Sequence, residues 1–257
     1  MHRATWRVAV TAMALGAACG GATAEVGKDF PTDTTIAAVK APDAPPPAVL
    51  LFGKSGPVDQ AGFHPDFLEF RAELLRIAER RDTVALLKVI APDFKASFGG
   101  DEGVQGLRDV YRVGAPDSEF WGLLTDVLLH GGRFDSDDRF SAPWTFHGLP
   151  DSLDAFTHLI IRAEDVPVRD APSAEGRQLA LLSYDIVRAG PYAEGPWRAI
   201  ALADGGVGYV EAVHVRSPID HRAIFERRNG KWWLAILVAG DRTAVIRVDS
   251  VTEAPPC

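Results

Sequence analysis

The stretch that opens Val166-Pro167-Val168-Arg169 and continues through residues 178–187, residues 197–202, Val207-Gly208-Tyr209-Val210 and His214-Val215-Arg216 decides the fold. Each run is short and rich in apolar or β-branched residues, and turn chemistry separates it from the next. Pro172-Ser173 and Glu175-Gly176 break the first pair, Gly190-Pro191 and Gly195-Pro196 bracket a longer loop, and Asp204-Gly205-Gly206 stands where a tight hairpin turns. Short strands at this spacing predict a small β-barrel over residues 164–216.

Outward on the C-terminal side, Ser217-Pro218-Ile219-Asp220 is a turn into two further runs. Residues 222–227 carry Ala223 and Phe225 on one side, Asn229-Gly230 is a two-residue hairpin signal, and residues 231–238 return. The apolar face of this hairpin exceeds what a small barrel covers. Trp233, Ala235 and Leu237, or their alternates, are therefore expected to pack on helices to the N-terminal side, burying one of Trp232 and Trp233 with Phe225. Gly240-Asp241 ends the hairpin, and residues 217–257 form a hairpin with a tail.

Those helices are read from Pro65 onward. Pro65 suits a first helical turn, and Phe67, Phe70, Leu74, Ile77 and Ala78 recur at spacings of three and four. A second helix is expected through Val84, Leu87 and Ile90, closed by Pro92. A short one covers residues 107–111, and another runs over residues 120–129 to Gly131-Gly132, with Ser118 as its cap candidate. A helical segment through Leu153 and Phe156 completes residues 63–163. The fold class expected is α+β: an N-terminal helical domain completed by a C-terminal β-hairpin, with a small β-barrel over residues 164–216.

Residues 1–24 have a basic start at Arg3 and Arg7, an apolar run too short to span a bilayer, and the small-residue ending Ala22-Thr23-Ala24. They predict a secretory signal peptide cleaved after Ala24. The alternative is lipidation at Cys19, because Leu15-Gly16-Ala17-Ala18-Cys19 resembles a lipobox, with its large apolar residue one position too far back. Residues 25–62 hold Pro42, Pro45, Pro46 and Pro47 and read as an extended spacer. Gly53-Lys54-Ser55 lacks the glycine that a phosphate loop needs five residues earlier, where Ala48 stands.

The chain has two cysteines, Cys19 and Cys257, which offer no intrachain disulfide framework once the leader is removed. Its formal charge is −8, and losing Arg3 and Arg7 from a leader without acids takes the mature chain to −10. An acidic protein with no basic stripe is a poor match to a phosphate backbone, so nucleic acid is disfavoured as a partner.

Catalytic signals are weak. His64, His130, His147, His158, His214 and His221 have no metal-ligand spacing, so no metal or other cofactor is expected; His214 and His221 flank one turn. Asp135, Asp137 and Asp138 fail the calcium-loop pattern because Arg139 and Phe140 stand at its fifth and sixth positions. No Gly-x-Ser-x-Gly elbow is present. A hydrolase would have to assemble dispersed acids such as Asp101, Glu102 or Asp241 in a cleft between helices and hairpin. Tyr184, Tyr192, Trp197 and Tyr209 lie at or near loop edges, where rings with one polar end suit recognition. Trp197 and Tyr209 fit a core position equally well.

The order Val166-x-Val168-Arg169-x-x-Pro172-Ser173, then Trp197, then Gly205-Gly206-Val207-Gly208-Tyr209-Val210 resembles the bacterial Src-homology-3-like (SH3-like) domain, and the flanks resemble an uncharacterised group of bacterial envelope proteins that carry one. The resemblance implies binding rather than catalysis, in a groove between two loops of the barrel, with cell-wall peptide or an envelope protein as partner. Together with the leader it places the chain in the periplasm or cell envelope. A purely structural envelope component is a further reading.

Overall fold

The computed structural model describes residues 46–97, 99–191, 195–238 and 240. The expected leader, Cys19, most of the spacer, Tyr192 and Asp241 lie outside them. In chain order the strands are β1 (Leu51–Lys54), β2 (Ile90–Lys95), β3 (Arg133–Ser136), β4 (Arg139–Ala142), β5 (His158–Ile161), β6 (Val166–Arg169) and β7 (Gln178–Leu182). There follow β8 (Asp185–Arg188), β9 (Trp197–Ala201), β10 (Val207–Glu211), β11 (Val215–Arg216), β12 (Arg222–Arg228) and β13 (Lys231–Val238). The helices are α1 (Pro65–Arg80), α2 (Thr83–Leu86), α3 (Gly103–Tyr111) and α4 (Phe120–Leu129).

The Asn229-Gly230 turn forms, with φ of 53° and 76° and Arg228 opposite Lys231. Both angles lie in the left-handed region that Asn and Gly tolerate, so the twist of the turn matches that of β12 and β13. The two strands are the middle of a five-stranded sheet in the order β2-β13-β12-β4-β3. A bulge sets their faces: Phe225 faces Leu234 while Ile224 faces Ile236, which leaves Ala235 as the extra residue. That extra residue shifts the alternation, so Trp232 and Leu234 before it and Leu237 after it all enter one core with Phe225. Phe67, Leu74 and Ile77 of α1 and Leu124 and Val127 of α4 cover that face.

This arrangement overturns the α+β expectation. Among the described residues the protein is mostly β, with three sheets and four short α-helices, rather than a helical domain completed by a hairpin. Three local reasons account for the difference. First, α2 lasts one turn, capped by the Asp82 carboxylate accepting from Ala85 N at 2.9 Å, and the chain then extends into β2. Pro92 sits inside β2 instead of closing a helix, because β2 is an edge strand where a missing N–H is tolerated. Second, residues 133–142 around the acidic turn pair as the β3–β4 hairpin and extend the sheet from β12. Third, the segment after Phe156 forms β5, whose residues are all buried. Leu159 and Ile161 enter one apolar cluster and Ile160 another, which explains an unbroken apolar run in so short a strand.

The expected barrel does not close. The run at residues 178–187 breaks at Tyr184, whose φ is 56°, and the Asp185 carboxylate accepts from Ser183 N at 2.8 Å across the corner. β7 then pairs with β6 in the sheet β7-β6-β10-β9, whereas β8 joins β1 and β5 in the sheet β1-β8-β5-β11. These two sheets enclose Val166, Val168, Leu182, Val187, Ile200 and Val210. Isolated bridges at Ala189–Ile200 and Val49–Leu202 link their rims. The layer is thus an open pair of sheets, with β1 and β5 drawn from sequence outside residues 164–216.

Candidate functional site

α4 and the ends of β5, β9 and β11 converge on a cavity of about 390 Å³ lined by Asp126, Arg162, Arg198, Arg216, Ser217 and Asp220, with Leu159, Val213 and Val215 as its apolar wall. Each charged residue arrives there for a local reason. Arg162 follows the last residue of β5, and its backbone N–H donates to His214 O at 2.9 Å. Arg198 lies opposite Val210 and alternates with buried Ile200, so it faces the inside of the sheet pair from the strand's edge. Arg216 ends β11, and Asp220 lies in the turn before β12.

Arg216 anchors the site. Its side chain is only 5% exposed, Nη1 donates to Asp126 Oδ2, and Nη2 donates to His221 O at 2.7 Å. Its Nε has no hydrogen-bond partner among the described residues, the nearest carboxylate oxygen being Asp220 Oδ2 at 3.8 Å. Arg162 donates from Nε to Val213 O at 2.7 Å and from Nη1 to Asp126 Oδ1 at 3.1 Å. His130 braces Arg162 from behind: a carbonyl can only accept, so His130 Nδ1 donates to Asp126 O at 2.6 Å, leaving Nε2 to face Arg162 Nη1 at 3.3 Å as an acceptor. Arg198 Nη1 donates to Trp197 O at 3.1 Å.

Both carboxylates are held ionised. Burial pushes Asp126 up, but the Arg216 and Arg162 charges and the hydrogen bond from Arg216 outweigh it and hold the group below the ordinary carboxylate range. Asp220 follows the same balance: burial raises it, and hydrogen bonds from His221 together with the Arg216 charge bring it lower. His221 Nδ1 lies 2.8 Å from Asp220 Oδ1. The Ser217 hydroxyl accepts from Ile219 N at 3.3 Å, a turn bond. The site therefore offers fixed cations beside two carboxylates held in the ionised form.

A second cavity of about 240 Å³ shares Arg162 with the first and is lined by Val58, Leu129, Trp144 and Tyr184 together with the polar side chains of Asp59 and His130. Tyr184 packs edge-on to Trp144 with ring centroids 6.4 Å apart. Of Tyr184, Trp197 and Tyr209, the expected recognition aromatics among the described residues, Tyr184 alone lines either of these cavities. Trp197 is nearly buried, and its register with Glu211 and that of Tyr209 with Ala199 put both rings on the sheet face opposite Ile200 and Val210. Tyr192 lies outside the described residues. Asp101 and Glu102 belong to the region between β2 and α3, where Glu102 pairs with Lys95 at 3.8 Å, and neither lines the arginine cavity. His214 contributes its carbonyl rather than its ring to the site. Among the described residues no three His, Cys, Asp or Glu side chains gather as a metal site.

The decisive residues, Arg162, Arg198 and Arg216, were not singled out in the sequence. Their signal was present in two places: Arg198 shares the alternation of Ile200, and Arg162 and Arg216 directly follow the apolar residues Ile161 and Val215. No helix among the described residues is long and apolar enough to cross a membrane. Comparison of the chain with protein-family models, with curated proteins and with solved structures gave no match.

Proposed function

We propose that this chain is an exported, non-enzymatic binding protein of the cell envelope that captures the free carboxylate of a peptide, from the cell wall or from an envelope protein, in the arginine-lined cavity. The observation that carries the reading is the gathering of three guanidiniums, those of Arg162, Arg198 and Arg216, in the lining of one cavity. Three guanidiniums against two carboxylates leave the lining with a formal charge of +1. That balance suits a monoanion over a phosphate dianion, and Asp126 and Asp220 present acceptors for amide N–H groups beside a ligand's carboxylate. Export rests on the leader-like residues 1–24.

Retention of the mature chain on isolated peptidoglycan, and on a resin displaying peptides with free C termini, tests this. Retention on either matrix should fall at least about tenfold when matrix carboxyls are converted to amides, since one charge-assisted bond contributes about 1.5–3 kcal/mol. Arg198→Ala should weaken it likewise. Equal retention on free and amidated matrices, or none on either, would overturn the reading.

A further inference from the structure

The geometry points to a two-compartment site in which Arg162 holds the ligand's carboxylate at the boundary while the neighbouring aromatic cavity takes a large apolar side chain of the terminal residue; this rests on the carboxylate reading above. Arg162 lines both cavities, and in the second one the side chains of Val58, Leu129, Trp144 and Tyr184 stand beside those of Asp59 and His130. This second compartment has a buried wall in Trp144, which is 5% exposed. Its rim is open: Leu129 is 66% exposed and Val58 45%, large apolar side chains left in water with no covering element among the described residues. At about 240 Å³ the compartment has room for an aromatic or leucine-sized side chain, and an alanine methyl leaves most of it unfilled.

Tyr184 is an independent observation. An aromatic residue at φ 56° is disfavoured by its Cβ, yet the chain fixes it there. Tyr184 N donates to Ala163 O at 3.2 Å, and its carbonyl accepts from Ser55 N at 2.7 Å. The corner could have been formed at lower cost by glycine or asparagine, which would remove the ring beside Trp144. The ring packs in part on the cluster of Trp144, Ile160 and Ile186, and it also lines the cavity, where it is available to a ligand.

Calorimetric titration with N-acetyl-alanyl-phenylalanine, N-acetyl-alanyl-alanine and the amide of the first separates the outcomes. The phenylalanine acid should bind about tenfold or more tightly than the alanine acid, from the extra apolar area removed from water. Tyr184→Gly, which removes the ring and relieves the positive φ, and Leu129→Ser, on the exposed rim, should each bring the two acids within about twofold. Thermal melts check that each variant keeps the fold, and Leu129→Ser, on an exposed residue, keeps the test decisive where Tyr184→Gly loses packing against Trp144 and Ile160. Equal affinity of the two acids for the wild-type chain, with the amide weak, would overturn the apolar compartment and leave the carboxylate reading standing. A wild-type chain that binds the amide as well as the acid, or binds none of the three, would overturn both. A preference for the phenylalanine acid supports a protein C terminus as the source, and an alanine preference, which contradicts the inference, supports a cell-wall peptide.

Discussion

Replacing Trp232 by alanine should cost far more stability than replacing its neighbour Trp233, and the difference measures the register of the central hairpin. Trp232 is 3% exposed and lies in the ring cluster of α1 and the central sheet, with Phe67 at 4.8 Å and Phe134 at 6.1 Å between centroids. Its indole N–H donates to Asp66 Oδ2 at 2.9 Å. Truncation removes the transfer term and leaves a cavity, about 3–5 kcal/mol for a core Trp→Ala change. The lost hydrogen bond adds about 1 kcal/mol. Trp233 points to the other face, where Lys231 Nζ lies 3.7 Å from its ring centroid, and an exposed cation–π contact contributes about 0.5–1 kcal/mol. Urea unfolding monitored by far-ultraviolet circular dichroism should therefore separate the two variants by about 3 kcal/mol or more, at equal slopes. Trp232→Phe, which keeps most of the apolar area, should fall between them. Equal losses for both tryptophans, or a larger loss at Trp233, would refute the assignment of Trp232 to the core face and Trp233 to the other.

Asp126→Asn should destabilise the fold by about 3–5 kcal/mol, because it leaves Arg216 buried beside a neutral partner, and a melting-curve loss below about 1 kcal/mol would contradict the ion-pair account. In acid, Asp126 and Asp220 have folded values below the ordinary 3.8, so their stabilisation is present above that pH and is lost as pH falls through the folded values; acid titration of wild type against Asp126→Asn reads the difference. His147 is held low by burial and by the Arg133 charge, against a smaller opposing effect of Asp135, so the unfolded chain takes up a proton near 6.5 before the folded one does. Stability should decline as pH drops below about 6.5, and His147→Gln should flatten that arm of the profile. A signal peptide over residues 1–24 requires intact-mass measurement to show a start at Glu25, and a diacylglycerol mass on Cys19 would overturn cleavage after Ala24.

The hairpin at Asn229-Gly230 and the helices α1 and α4 were legible because each announces itself within a few residues: a turn pair with positive φ, or apolar residues at spacings of three and four. What the sequence concealed was pairing at long range. β4 has only Arg139-Phe140-Ser141-Ala142 to show, and its strand character comes from β12, more than 80 residues later. β1 lay in a proline-bearing stretch that reads as spacer, yet it pairs with β8 far down the chain. The run at residues 178–187 looked continuous because nothing in Ser183-Tyr184-Asp185 marks a left-handed corner; tyrosine is not a residue from which a positive φ is expected. That break sends β7 and β8 to different sheets and prevents closure of a barrel.

The candidate site was concealed for the same reason. Asp126, Arg162, Arg198 and Arg216 come from four separate elements, and no spacing links them. Tyr184 was reached for its ring and its nearness to a turn, and the structure places that ring beside Arg162. Trp197 and Tyr209 were reached by the same reasoning and lie on the other face of their sheet. Arginine within an inward-facing strand position is the more informative signal, because a guanidinium there must find partners or leave donors unsatisfied.

The most direct test is a calorimetric titration of the mature chain with a blocked dipeptide as the free acid and as its amide, in wild type and Arg198→Ala. The account requires the acid to bind the wild type at least about tenfold more tightly than the amide, and requires Arg198→Ala to reduce acid binding while leaving amide binding unchanged. Acid and amide binding alike, or an acid affinity indifferent to Arg198→Ala, would contradict the claim that the arginine-lined cavity captures a carboxylate.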